Sequence, residues 1–104
     1  MRHLFRFAVF GFVLFLLTPI GLAVEVKTVR FTSADEQKTP LSGLLLKPEG
    51  NGPFSAVIML HGCSGMLKRS GKLKRRPTFW SHWLAARGHL VLLADSFTPR
   101  GHNS

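Results

Sequence analysis

The sequence predicts an α/β fold built around a pair of parallel strands. Ser55 to Leu60 is a short apolar run that ends at a glycine-containing loop, and Leu90 to Ala94 is a second apolar run. Short apolar runs bounded by turn residues are typical of buried strands. A helical pattern lies between them. The order strand, helix, strand is a βαβ unit, which predicts two parallel strands joined by a right-handed crossover.

The helix of this unit is predicted to start near Pro77 and to end at Gly88. Trp80, Trp83 and Leu84 follow at helical spacing, so we expect them to form its buried stripe. The two flanking strands are apolar throughout, which predicts that both of their faces are covered.

An antiparallel strand pair is predicted to precede the βαβ unit. Val24 to Phe31 is rich in β-branched residues, and Leu41 to Lys47 follows a short polar connection. So short a link favours antiparallel pairing. Gly43 in the second strand predicts a bulge or a close approach of another backbone.

Residues 1–23 are predicted to be a secretory signal peptide, with the helical apolar core of such peptides. A basic start precedes the apolar run Phe7 to Leu17, and Gly21-Leu22-Ala23 has the small-x-small pattern of a cleavage site after Ala23. An uncleaved membrane anchor is the alternative, because the uncharged span reaches the lower length limit for crossing a bilayer. In both cases we expect the remainder to be exported, to the periplasm or outside the cell.

Composition favours one small folded domain without covalent cross-links. Of the 104 residues 45% are hydrophobic and 18% are charged, which excludes disorder over most of the chain. Cys63 is the single cysteine, so the chain has no internal disulfide.

Three segments resemble the α/β-hydrolase superfamily and, within it, the exported dienelactone hydrolases. The first is Leu60-His61-Gly62-Cys63-Ser64-Gly65, and the second contains Trp80, Leu84-Ala85 and Arg87-Gly88. The third is Val91-Leu92-Leu93-Ala94-Asp95-Ser96-Phe97 followed by Pro99-Arg100-Gly101. The resemblance covers nearly all of residues 26–104. It implies that residues 24–104 are the N-terminal part of a hydrolase domain, a partial α/β-hydrolase fold. The implied reaction is hydrolysis of an ester or lactone through an acyl-enzyme, without a cofactor or metal ion.

The resemblance also implies that His61 and Gly62 belong to an oxyanion loop. The donor would be the backbone N–H of Cys63, with Ser64 as the near alternative, and it would stabilise charge that appears only in the tetrahedral intermediate. Gly62 and Gly65 are expected to let the backbone turn sharply. His61 either orients the substrate or braces the loop. A nucleophilic Cys63 thiol is the alternative to its backbone role.

The nucleophile, acid and base of the resembled family have no counterpart in the sequence. No Gly-x-Ser-x-Gly or Gly-x-Cys-x-Gly motif occurs, and Gly62-Cys63-Ser64-Gly65-Met66 has methionine in place of the last glycine. We therefore expect these groups to lie beyond Ser104 and the chain alone to be inactive.

A triad of Ser64, Asp95 and His102 is the alternative within the chain, although Ser64 does not lie on a strand-to-helix elbow. Asp95 is instead expected to accept backbone N–H bonds in the following loop or to pair with Arg100.

Six basic residues between Met66 and Arg76 support a hypothesis of another class. It is a non-enzymatic exported protein that binds anionic polymers or lipid head groups through Lys68–Arg76. This segment has no interleaved aromatic residues and no zinc-ligand spacing, so nucleic acid is not an expected partner.

The hydrolase interpretation implies a small ester or lactone as partner, and membrane contact only through an uncleaved N-terminal segment. The oligomeric state stays open.

Overall fold

The structure is a computed structural model that describes residues 23–102, so the predicted signal peptide, apart from Ala23, lies outside the described residues. The main elements in chain order are β1 (Glu25–Thr32), β2 (Pro40–Lys47), β3 (Ala56–Leu60), α1 (Arg75–Ala85) and β4 (Leu90–Asp95). A short 3-10 turn, Thr98–Arg100, follows β4. Within residues 23–102, no helix has the length and apolar character needed to cross a bilayer.

The four strands form one mixed sheet in the order β1-β2-β4-β3. β1 and β2 are antiparallel, and β2 is also antiparallel to β4, with Ser42 opposite Asp95. β3 runs parallel to β4, with Ala56 opposite Leu90, and α1 connects the two strands. The predicted α/β class, the antiparallel pair and the parallel βαβ pair are therefore confirmed.

Gly43 lies where β2 and β4 leave no room for a side chain. A Cβ atom at this position would lie 2.6 Å from the Leu93 carbonyl oxygen and 3.0 Å from Leu92 Cδ1. The backbone oxygen belongs to the sheet and cannot move without opening the strand pair. The predicted close approach at Gly43 is confirmed.

The ends of α1 lie close to the predicted ones. The helix begins at Arg75, two residues before Pro77. Gly88 has a left-handed φ of 88° and donates its N–H to the Ala85 carbonyl at 3.0 Å. This conformation, which glycine adopts without strain, turns the chain toward β4.

Helix α1 presents small side chains to the sheet. Ser81 and Ala85 are buried, whereas Trp80 and Trp83 are 45% and 38% exposed. The prediction that the two tryptophans lie in the buried stripe was wrong, and Leu84 alone of the three packs against the core. Small residues let the helix approach the sheet closely. Periodicity shows which residues share a face of a helix, but not which face turns inward.

The core lies between α1 and one face of the sheet. Its buried residues are Leu46, Met66, Ala85, Val91 and Leu93. The opposite face is apolar, and no helix among the described residues covers it: Ile58 and Leu60 are 65% and 81% exposed. β3 is an edge strand, so the prediction that both of its faces are covered was wrong for the described part of the chain. An apolar run shows what a strand can bury, but not how many layers pack on it.

Candidate functional site

The predicted oxyanion loop follows β3 directly, at the carboxyl end of a parallel strand. Gly65 donates its N–H to the Gly62 carbonyl at 2.9 Å, which makes residues 62–65 a hydrogen-bonded turn with Cys63 and Ser64 at its tip. Gly65 has a left-handed φ of 69°. Ligands of open α/β sheets bind beyond the carboxyl ends of the strands, so this turn lies where a substrate would be expected.

His61 braces the turn through both of its ring nitrogens. The N–H of Ser96 donates to Nε2 at 3.2 Å, and the Ser96 hydroxyl lies 3.0 Å from the same nitrogen. Nδ1 lies 3.0 Å from the Gly62 carbonyl, which can only accept, so Nδ1 carries the proton. The Phe97 ring packs edge-on against the imidazole at 4.4 Å. These contacts favour the bracing interpretation, because they leave neither nitrogen open to act as a general base.

Lys74 holds the tip of the turn from a second direction. Its ammonium group donates to the Ser64 carbonyl, and its backbone N–H donates to the Met66 carbonyl at 2.8 Å. Cys63 is exposed and its thiol is free. Within residues 23–102, the backbone N–H groups of Cys63 and Ser64 have no acceptor. The turn is therefore fixed in place while two donors at its tip stay open to a ligand.

A cleft of about 540 Å³ lies beside the turn and the start of α1. Its lining includes Gly62 and Ser64 of the turn, the cations of Lys74 and Arg76, and the ring of Trp80. An apolar wall with a few polar groups is typical of small-molecule sites. Backbone donors and two cations in such a wall suit a small molecule that carries a carbonyl group and a negative charge.

Gly62 is not needed for the turn itself. Its φ is not left-handed, and a Cβ atom at this position would meet no described atom within 4 Å. The expectation that Gly62 permits the sharp turn was wrong, since Gly65 alone has the left-handed conformation there. The absence of a side chain at Gly62 instead leaves open space in the cleft beside the tip of the turn.

Asp95, at the end of β4, organises the turn that follows. It is 3% exposed, and its Oδ1 accepts the N–H groups of Phe97 and Thr98 at 3.1 Å each. Burial alone would raise the pKa of this carboxyl group. Hydrogen bonds from the side chain and backbone of Thr98 and from the Phe97 N–H outweigh burial and lower the pKa below its ordinary value. The predicted backbone bonds are confirmed, whereas Arg100 pairs with Asp35 at 2.7 Å rather than with Asp95.

The structure does not bring Ser64, Asp95 and His102 together as a triad. The loop N–H groups bond to Oδ1 of Asp95. The His102 ring lies 5.9 Å from that of Phe97, and His102 and Asp95 both line a smaller cavity of about 170 Å³. Ser64 lines the larger cleft instead. No acid–base–nucleophile arrangement therefore forms among these three residues.

His82 and His89 lie outside the turn and take no part in the candidate site. His89 Nδ1 lies 2.8 Å from the Ser55 hydroxyl, and His82 lies in the last turn of α1. Across residues 23–102, no three His, Cys, Asp or Glu side chains come together as a group that could hold a metal ion.

Two residues that shape the site, Ser96 and Lys74, were not among the predicted site residues. Ser96 follows β4 as His61 follows β3, and neighbouring parallel strands end at the same edge of a sheet. The pairing of Ser96 with His61 could thus have been predicted from the strand order. The sequence predicts Lys74 only as part of the basic run Lys68–Arg76, because its contact with Ser64 depends on the path of the intervening loop.

Comparison with known proteins adds no assignment: the chain matches no protein-family model, no curated protein and no solved structure.

Proposed function

We propose that residues 24–104 belong to the N-terminal part of an α/β-hydrolase-like domain that hydrolyses a carboxylic ester or lactone. The turn at residues 61–65 supplies one backbone donor of the oxyanion hole, from Cys63 or alternatively from Ser64, and the nucleophile, acid and base come from a part of the domain beyond Ser104. The observation that carries this proposal is the braced turn at the carboxyl end of β3, with two open N–H groups beside a cleft.

The chemical role of the turn follows from where charge develops. Attack on an ester carbonyl moves negative charge onto its oxygen, and donors already aimed at that oxygen stabilise it without rearranging. Loss of one such donor typically costs about 3–4 kcal/mol of transition-state stabilisation. His61 and Lys74 hold the turn before substrate binds, so the ordering of these donors does not have to occur during the reaction.

Cys63 takes part through its backbone in this proposal. A thiol becomes a nucleophile when a nearby base or cation favours the thiolate. His61 is the histidine nearest to Cys63 in sequence, and its ring nitrogens are engaged by Ser96 and Gly62.

The uncovered face of the sheet supports the same proposal. Parallel strands ordinarily have both faces covered. The exposed Ile58 and Leu60 side chains on edge strand β3 are what the proposal expects of a region that further elements of a hydrolase domain would cover.

The oxyanion role is tested by titrating the chain with phenylphosphonate, a tetrahedral oxyanion, and following backbone amides by NMR. We expect the largest shifts at the N–H groups of Cys63 and Ser64. Cys63→Pro removes one donor, and proline suits the second position of a turn. Cys63→Ala is the matched control because it removes only the thiol. Shifts confined to other residues would contradict the proposed hole, and unchanged binding by Cys63→Pro would assign the role to Ser64.

The absence of catalytic machinery from the chain is tested separately with a nitrophenyl ester. We expect no turnover above the uncatalysed rate from the purified 104-residue chain. Turnover that a serine- or cysteine-directed inhibitor abolishes would show that the nucleophile lies within the chain.

The proposal includes export to the periplasm or outside the cell after cleavage at Ala23. N-terminal sequencing of the mature protein is expected to begin at Val24. A mature protein that begins at Met1 or Arg2 and stays with the membrane fraction would support the uncleaved anchor instead.

A further inference from the structure

The side of α1 turned away from the sheet carries three aromatic rings. At 100° per residue, Phe79, Trp80 and Trp83 lie opposite the buried Ser81 and Ala85. Phe79 is 57% exposed, and the two tryptophans are close to half exposed. Edge-to-face contacts at 5.2 Å and 5.6 Å join the three rings into one array, here called the aromatic face. Contiguous exposed aromatic surface of this kind is typical of an interaction site.

Cations flank the aromatic face at both ends of the helix. The Arg87 guanidinium group lies 3.5 Å from the Trp83 ring, and Arg76 lines the cleft together with Trp80. Before α1, residues 67–73 form a tight hairpin in which Lys68 donates its N–H to the Lys72 carbonyl at 2.7 Å. This basic hairpin, residues 67–73, exposes Lys68, Arg69 and Lys72.

The segment that carries these two features is strongly basic. No Asp or Glu occurs between Glu49 and Asp95, whereas seven Lys and Arg residues do. The aromatic face and the basic hairpin therefore lie on a segment with a large excess of positive charge, in which Asp95 is the one carboxylate that shares a cavity with Lys68 and Arg69. An excess of this sign favours anionic partners.

We propose that the aromatic face and the basic hairpin bind an anionic lipid surface. Tryptophan and phenylalanine rings settle at the level of the lipid head groups, and lysine and arginine contact the phosphates. This binding does not depend on the proposed hydrolase activity, and it extends the anionic-surface hypothesis from the basic run to the helix that follows.

Two other partners fit the surface less well. A soluble polyanion would match the cations but would give the three rings no apolar environment. A second copy of the chain would bury the rings but would bring two sets of like charges together, which opposes association.

The chain contains its own reporter for this proposal, because its two tryptophans, Trp80 and Trp83, both lie on the aromatic face. Mixed phosphatidylcholine–phosphatidylglycerol vesicles should shift their emission to the blue and protect them from acrylamide quenching. Pure phosphatidylcholine vesicles should have little effect, and added salt should reverse the shift. The complete chain is used throughout, so any contribution of residues 1–22 is common to all variants.

The double variant Lys68→Gln/Arg69→Gln removes two exposed charges from the basic hairpin without touching the core. We expect its partitioning onto the anionic vesicles to fall roughly 25-fold, because each near-surface cation contributes about fivefold. Lys27→Gln/Arg30→Gln on β1 makes the same change of net charge elsewhere and should bind nearly as the wild type does. Phe79→Ser keeps both reporters and all charges, and it should also lose affinity.

Three results would overturn the proposal. The first is sedimentation with vesicles while tryptophan emission stays unchanged, which would mean that another part of the chain binds. The second is an equal blue shift and protection with dextran sulfate, which would favour soluble anionic polymers. The third is a blue shift that depends on protein concentration without vesicles, which would identify a second copy as the partner.

Discussion

The described chain divides into two regions that use charge differently. Residues 23–55, with the antiparallel strands β1 and β2, contain four acidic and four basic residues. Two of these acids, Glu25 and Asp35, form ion pairs at 2.9 Å and 2.7 Å, with Lys27 and with Arg100. Residues 56–95, the βαβ unit, contain seven basic residues and a single acidic one, Asp95 at the end of β4.

The braced turn, the cleft and the aromatic face all lie in or next to the region of unbalanced charge. Like charges held together on a folded surface repel one another and cost stability. The balanced region has no comparable surface and contributes strands, ladder hydrogen bonds and one core residue, Leu46. The difference separates a supporting region with balanced charge from a region with an excess of positive charge, which is where the proposed anionic partner would bind.

The largest expected effect is at Gly43, where the two regions join. Gly43→Ala would place a Cβ atom 2.6 Å from the Leu93 carbonyl, so we expect the free energy of unfolding to fall by about 3 kcal/mol. Denaturant unfolding followed by far-UV circular dichroism measures this, and a single transition in the variant would show that the two regions fold as one unit.

Gly62→Ala is the matched control, because the new methyl group meets no described atom within 4 Å. Its stability should change by less than about 0.5 kcal/mol, while phenylphosphonate binding in the cleft should weaken. Equal destabilisation by the two substitutions would remove the distinction between a glycine required by the fold and a glycine that leaves room for a ligand.

The second largest effect is expected at Asp95, the acid that ends the unbalanced region. Asp95→Ala removes the acceptor of the part-buried N–H groups of Phe97 and Thr98, which should cost about 1–2 kcal/mol at neutral pH. The pKa of Asp95 is lower in the folded protein than the unfolded value of about 3.9, so its contribution is present above that pH. The contribution is lost as the pH falls through the folded pKa.

Unfolding curves of wild type and Asp95→Ala, recorded from neutral pH downward, test this. The gap between them should stay constant down to about pH 4 and then narrow. Asp35→Ala, on an exposed ion pair, serves as the comparison and should show a smaller gap at neutral pH. A gap for Asp95→Ala that persists unchanged in acid would mean that the ionised carboxylate is not the stabilising form.

The strand pairing could be predicted from the sequence because its signals are local. A short polar link predicts antiparallel β1 and β2, and two apolar runs separated by a helical segment predict parallel β3 and β4. Which face of α1 turns toward the sheet could not be predicted from the sequence. Ser81 and Ala85 are weakly apolar, and their burial depends on how closely the helix approaches β4, whereas Trp80 and Trp83 dominate any hydrophobic pattern.

The candidate site shows the same limit. The glycine turn was recognised from consecutive residues, but its bracing by Ser96 joins residues 35 positions apart. Such a contact follows from the register of β3 and β4, which pairs Leu60 with Ala94 and so places the residues after them side by side. Register is a property of packing between strands and not of either strand alone.

A smaller effect is expected at Arg75, the first residue of α1. The first helical turn contains no acidic residue, and a cation there opposes the helix dipole. Arg75→Glu should therefore raise the free energy of unfolding by about 0.5–1 kcal/mol and should weaken binding to anionic vesicles. Arg30→Glu makes the same charge change on β1 and should stabilise less. Lower stability of Arg75→Glu would show that Arg75 makes a favourable contact that outweighs the dipole.

The smallest effect concerns Arg87, which lies over the Trp83 ring at 3.5 Å and donates to the Trp83 carbonyl at 3.1 Å. Arg87→Lys keeps the charge but replaces the planar group that stacks on the ring, so we expect a loss of about 0.5 kcal/mol. In a Trp80→Phe background, Trp83 alone emits, and its quenching by acrylamide should increase. Arg30→Lys on β1 is the control. Unchanged quenching would mean that the neighbouring rings alone hold Trp83 in place. The Arg87 cation would then serve to bind a partner and would not order the aromatic face.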